Sequence, residues 1–138
     1  MALIDHVYND INLTDQFDDA TDTLAAQAIN GGSGTGVIYV GTPDTAKKLQ
    51  AASDPGIDSV TVSIVDATPG GGVEATHIKL AVSEAALSSA TGGASLPLGA
   101  NLTGGTAYPV WYQWDNSVGA GTSTEISLSI VARIEAAI

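Results

Sequence analysis

The chain of 138 residues contains no cysteine, four Lys and Arg residues, two histidines and seven aromatic residues. Without cysteine there are no disulfides, no thiolate nucleophile and no thiolate metal site, so burial and hydrogen bonding must hold the fold. The basic residues are Lys47, Lys48, Lys79 and Arg133, set against 15 Asp and Glu for a net charge of −11. Such a surface repels a phosphate backbone within a Debye length, which argues against nucleic acid as a partner. Nowhere do 18 apolar residues run together, so no membrane-spanning helix is expected. Met1–His6 lacks the basic and then apolar pattern of a secretory leader, and synthesis and folding in a cytoplasm are the expectation.

What is present is small. Gly, Ala, Ser and Thr supply 63 of the 138 residues, and the length fits one domain core. Residues 1–35 differ from the rest: Asp5, Asp10, Asp15, Asp18, Asp19 and Asp22 fall there with no Lys or Arg, and the segment closes on Gly31-Gly32-Ser33-Gly34-Thr35-Gly36. The glycine run reads as a flexible linker. The segment before it reads as an N-terminal arm, with a weak helical stretch over residues 21–29. Its apolar side chains, Leu3, Ile4, Val7, Tyr8, Ile11 and Leu13, are candidate contacts to a partner.

From residue 36 to 138 the hydrophobic period becomes two. Val37–Val40, Ser59–Ile64, Thr76–Val82, Tyr108–Trp114 and Thr124–Ile134 each alternate or run apolar, separated by turns such as Asp54-Pro55-Gly56 and Thr103-Gly104-Gly105. The pattern predicts Val60, Val62 and Ile64 inward on one strand and Ile78, Leu80 and Val82 inward on the next. Ser83–Ala90 suits one helical turn. Short alternating strands without intervening long helices predict an all-β antiparallel sandwich, immunoglobulin-like first and jelly roll second.

Residues that could carry chemistry are dispersed. His6 and His77 have no partner at helical spacing for a metal, and His77 alternates to solvent. Asp15, Asp18, Asp19 and Asp22 do not follow a calcium-loop spacing, and no phosphate loop or nucleophile elbow is present. No catalytic, cofactor or metal residues are expected, and an enzyme is the least supported class. On Tyr108–Trp114, an odd separation sends Trp111 and Trp114 to opposite faces. With Tyr108, Val110, Tyr112 and Trp114 inward, Trp111 faces out, either under a loop or the arm of its own chain or as an interface anchor.

The stretch Gly105-Thr106-Ala107-Tyr108-Pro109-Val110-Trp111-Tyr112, with the long alternating strand after it, resembles the C-terminal hairpin of tailed-phage virion proteins. Tyr39–Pro43, Asp54–Gly56, Ser59–Asp66, Ile78–Ala81 and Gly99–Gly105 are similar to the strand-and-turn skeleton of small head decoration or cement proteins. The likeness spans about residues 37–134 and departs after Trp111, where Gln113 and Trp114 stand in place of a basic pair. It implies a non-enzymatic role on the outer capsid surface, assembled in the host cytoplasm. The implied partners are the major capsid protein and neighbouring copies of the same chain. A tail or baseplate component and a carbohydrate-binding module are the alternatives.

Overall fold

The computed structural model describes residues 3–18, 33–66, 75–115, 126–130 and 134–137. The structure is mostly β, and every strand pairing among the described residues is antiparallel. Among the described residues there are eleven strand segments: β1 Leu3–Tyr8, β2 Gln16–Asp18, β3 Ser33–Val40, β4 Lys47–Gln50, β5 Thr61–Asp66, β6 Ile78–Ala81, β7 Leu96–Pro97, β8 Leu102–Thr103, β9 Tyr108–Asp115, β10 Ile126–Ile130 and β11 Ile134–Ala137. Among the same residues two short 3-10 turns, Ala75–His77 and Ala85–Ser89, accompany them. The second is the helical turn expected over Ser83–Ala90.

A five-stranded sheet runs β2-β1-β3-β9-β6, and two three-stranded sheets run β10-β5-β7 and β11-β4-β8. The smaller sheets follow the same three stretches of chain, because β4 leads to β5, β7 to β8 and β10 to β11. One core joins them to the large sheet: Val7, Phe17, Ile38, Val40, Ile78, Leu80, Val110 and Tyr112 from one side meet Leu49, Val60, Val62, Leu102 and Ile130 from the other. In chain order, β3, β6 and β9 of the large sheet alternate with the stretches β4–β5, β7–β8 and β10–β11 of the smaller ones.

The longest pairing is β3 with β9, in register from Ser33–Asp115 to Val40–Tyr108. Its alternation follows the sequence: Ile38, Val40, Val110 and Tyr112 are buried while Val37, Tyr39, Pro109, Trp111 and Gln113 are half-buried on the opposite face. Gly36 lies opposite Tyr112, and a Cβ there would collide with the Tyr112 hydroxyl and ring carbon Cζ. The missing side chain is what lets the aromatic ring lie across the neighbouring strand, a known use of strand glycine.

That contact corrects the reading of residues 1–35. Residues 33–36 are strand, not linker, and the boundary expected at 35/36 falls inside β3. The first strand is no detached arm either: β1 pairs with β3 at Val7–Val40 and Tyr8–Tyr39, and with β2 on its other side. Val7 and Phe17 enter the core, and Leu13 is buried against Gly41. Burying Val7, Leu13 and Phe17 in its own domain outweighs the segment's acidic surplus. The helical stretch read over 21–29 lies outside the described residues.

Two further expectations change. The alternation over Thr124–Ile134 does not form one strand in one sheet: β10 pairs with β5 and β11 with β4. Residues 51–61 stand between the paired Gln50 and Val62, opposite only 131–133, so the two partners cannot stay in step, and Ile134 is exposed. Val82 is also exposed, because β6 ends at Ala81. Val60 and Val62 are buried as expected, with Ile64 packed against the core.

Gly36→Ala should lower stability by about 1–3 kcal/mol through overpacking against Tyr112, and Phe17→Ala by roughly 3 kcal/mol through the cavity it leaves. Urea unfolding followed by tryptophan fluorescence measures both. Wild-type stability in Phe17→Ala would show that β2 is not part of the folded core.

Candidate functional site

The candidate contact residues are divided by the fold. Leu3 and Ile4 lie in β1. Val7 and Leu13 are turned into the domain and have no surface to offer. Tyr8 and Trp111 are half-buried outside the core, Tyr8 opposite Tyr39 on β3 and Trp111 opposite Val37 on β3 and Ala81 on β6. Ile11 is 65% exposed at the tip of the β1–β2 turn.

That turn is built by one carboxylate. Asp10 Oδ2 accepts from the Thr14 hydroxyl at 2.6 Å, and Asp10 Oδ1 accepts from the Thr14 and Asp15 amides at 2.9 and 2.8 Å. Asn9 N donates to Asp15 O at 2.8 Å and closes the loop. Leu13 takes a positive φ of 57° within it, so the chain can bury Leu13 while Ile11, two residues earlier, points to solvent. The Thr14 hydroxyl, followed by the Asp15 amide, holds the Asp10 carboxyl below its ordinary pKa.

A second exposed apolar residue was not singled out by sequence. Between β4 and β5 the chain leaves the sheet at buried Ala51 and returns at buried Val60, with Ile57 71% exposed in between. The excursion is internally tied: Ile57 N and Asp58 N both donate to Asp54 O at 3.0 Å, and Ser53 Oγ donates to Asp58 Oδ2 at 3.0 Å. Asp54 and Gly56 take positive φ values of 50° and 83°, giving the bend. Gln50 Nε2 donates to Asn101 Oδ1 at 2.7 Å beneath it. Asp54-Pro55-Gly56 marks the turn in sequence, but a lone Ile after a turn carries no periodic signal, so its exposure could not be read there.

The two histidines are placed separately. His6 Nδ1 lies 3.9 Å from Glu135 Oε1 and forms an ion pair when protonated, joining β1 to β11. His77, expected on a strand facing solvent, instead ends the 3-10 turn before β6. It is half-buried, and its Nδ1 is buried without a hydrogen-bond partner among the described residues. No group of three His, Asp or Glu able to hold a metal occurs among the described residues. Asp19 and Asp22 of the acidic run lie outside them. Among the described residues no helix is long and apolar enough to cross a membrane. No family model, curated protein or solved structure matches the chain.

Because the folded state holds Asp10 ionised below the pKa it has in the unfolded chain, its contribution is complete above the unfolded value. It is lost as pH falls through the folded one. Asp10→Asn should therefore be less stable than wild type at pH 7, with the gap closing as pH drops through roughly 4 and below. Thermal unfolding of both proteins between pH 7 and pH 3 measures this, and a gap that widens on acidification would contradict it.

Proposed function

We propose that this protein is a non-enzymatic component of a tailed-phage virion, a decoration or cement protein on the outer face of the head. It contacts the major capsid protein and neighbouring copies of itself. The observation that carries this reading is Ile57, a large apolar side chain 71% exposed on an excursion that is hydrogen-bonded to itself. A side chain presented on a fixed loop loses little conformational freedom on docking, which is the condition for an interface anchor. Asp54 and Asp58 flank it, so its complement is an apolar pocket with a basic rim. Ile11, on the turn organised by Asp10, is a second presentation of the same kind.

Charge and fold support the same assignment. A net charge of −11 suits an outward surface and opposes contact with packaged DNA. Repetition of a modest contact over a lattice yields a stable coat without high affinity at one site. In this reading the finer fold is a jelly roll rather than an immunoglobulin-like sandwich. The alternation of β3, β6 and β9 in the large sheet with the stretches β4–β5, β7–β8 and β10–β11 in the smaller ones favours that winding.

Purified particles that carry the protein, examined by mass spectrometry and cryo-EM, test the proposal. Density for the sandwich should lie on the head with the 51–59 excursion against the capsid protein. Ile57→Asp should fold with stability within about 0.5 kcal/mol of wild type and bind heads at least roughly tenfold more weakly. Density confined to the tail, or absence from particles, would refute the assignment.

A further inference from the structure

The face of the five-stranded sheet turned away from the core has a composition unlike the rest of the chain. Register places Trp111 on β9 opposite Val37, with Tyr39 one diagonal step away on β3 and Tyr8 directly opposite Tyr39 on β1. Directly opposed side chains on neighbouring strands sit about 5 Å apart and diagonal ones about 7–8 Å, so the rings form an oblique row across three strands. Three of only seven aromatic residues in the chain are placed here, while Phe17, Tyr108 and Tyr112 serve the core.

Short side chains surround the Trp111 end of the row, those of Val37, Ala81 and Pro109. Pro109 is admitted because β6 pairs with β9 only as far as Ala81–Trp111, leaving that side of β9 open beyond it. At the end of the row, Gln113 lies between Thr35 on β3 and Lys79 on β6. Among the alternating outward positions acidic residues stand only at the margins, Asp115 at the end of β9 opposite Ser33 and Asp18 at the end of β2, and none lies among positions 35–39, 79–81 or 109–113 around the row.

We propose that this face binds a neutral oligosaccharide. The Trp111 and Tyr39 rings stack on the apolar C–H faces of successive sugar rings, and Tyr8 extends the platform. Gln113, Thr35 and Lys79 supply amide, hydroxyl and ammonium groups for sugar hydroxyls. The charge balance selects this ligand class: an anionic polymer is repelled by the net −11, and a cationic partner meets Lys79 beside the row, with Asp115 and Asp18 only at the margins of the sheet. A ligand that is uncharged, amphipathic and elongated fits what remains. The inference is independent of attachment to a virion.

The test titrates the full-length protein with cellohexaose, xylohexaose, chitohexaose and maltohexaose, read by tryptophan fluorescence and calorimetry, with oligogalacturonate as an anionic control. At least one neutral hexasaccharide should bind saturably with a Kd below about 10 mM, and the anionic control should not. Trp111→Ala should weaken that binding at least roughly tenfold and Tyr39→Ala several-fold, while Trp111→Tyr, which keeps a stacking ring, should retain most of it. Circular dichroism establishes that the variants are folded. The proposal is overturned if no neutral saccharide saturates, if folded Trp111→Ala binds like wild type, or if Trp111→Ala reduces only attachment to a protein partner.

Discussion

Tyr112 can lie across β3 only because residue 36 has no side chain, and the arrangement of the domain depends on that contact. It sits in the β3–β9 pairing, between β1 on one side and β6 on the other. It also sets which face of β9 is inward: with the Tyr112 ring in the core, Val110 follows it and Trp111 must face away. The buried face then receives Leu49, Val60, Val62, Leu102 and Ile130 from the smaller sheets. A core made almost wholly of Val, Ile and Leu has few large rings to define it, so the placement of each ring matters more than usual.

The two exposed apolar residues, Ile11 and Ile57, are held by the same device at different scales. Each stands on a loop whose feet are buried, Leu13 for one and Ala51 and Val60 for the other, and whose crest is tied by Asp-centred hydrogen bonds. Aspartate in these loops therefore has a structural part beyond solubility. In a chain so acidic, Asp10 is distinguished by geometry: its carboxylate takes three hydrogen bonds and so closes the turn.

Strand alternation was legible in the sequence wherever both faces differ, as at Ile78–Leu80 and Val110–Trp111, because a period of two needs no information beyond neighbours. The reading failed where two distant segments had to be compared. Gly36 resembles a linker residue until Tyr112 is placed opposite it, some 75 positions later. Similarly, the break in Thr124–Ile134 comes from the excursion at 51–59 on its partner strand, which leaves no trace in the sequence of 124–134 itself. The candidate site was legible in part: Trp111 emerged from parity alone, whereas Tyr39 and Tyr8 join it only through cross-strand register. Val7 and Leu13 carry the same apolar signal whether they dock on a neighbour or on their own domain.

The passage of the chain back and forth between sheets has a consequence for how the protein is made. β3 can pair with β1 early, but its longer pairing and both pairings of β4 await partners far downstream: β3 meets β9, and β4 meets β8 and then β11 at residues 134–137. Non-local pairing of this kind slows folding, since loop closure is unfavourable before any contact compensates it. A ribosome still holding β11 presents a nascent domain whose β4 lacks one neighbour, so that sheet closes only once β11 has emerged. Until their partners emerge, the edges of β3 and β4 stay open to the corresponding strands of other chains, and the acidic surplus of this sequence is what keeps those unfinished copies apart.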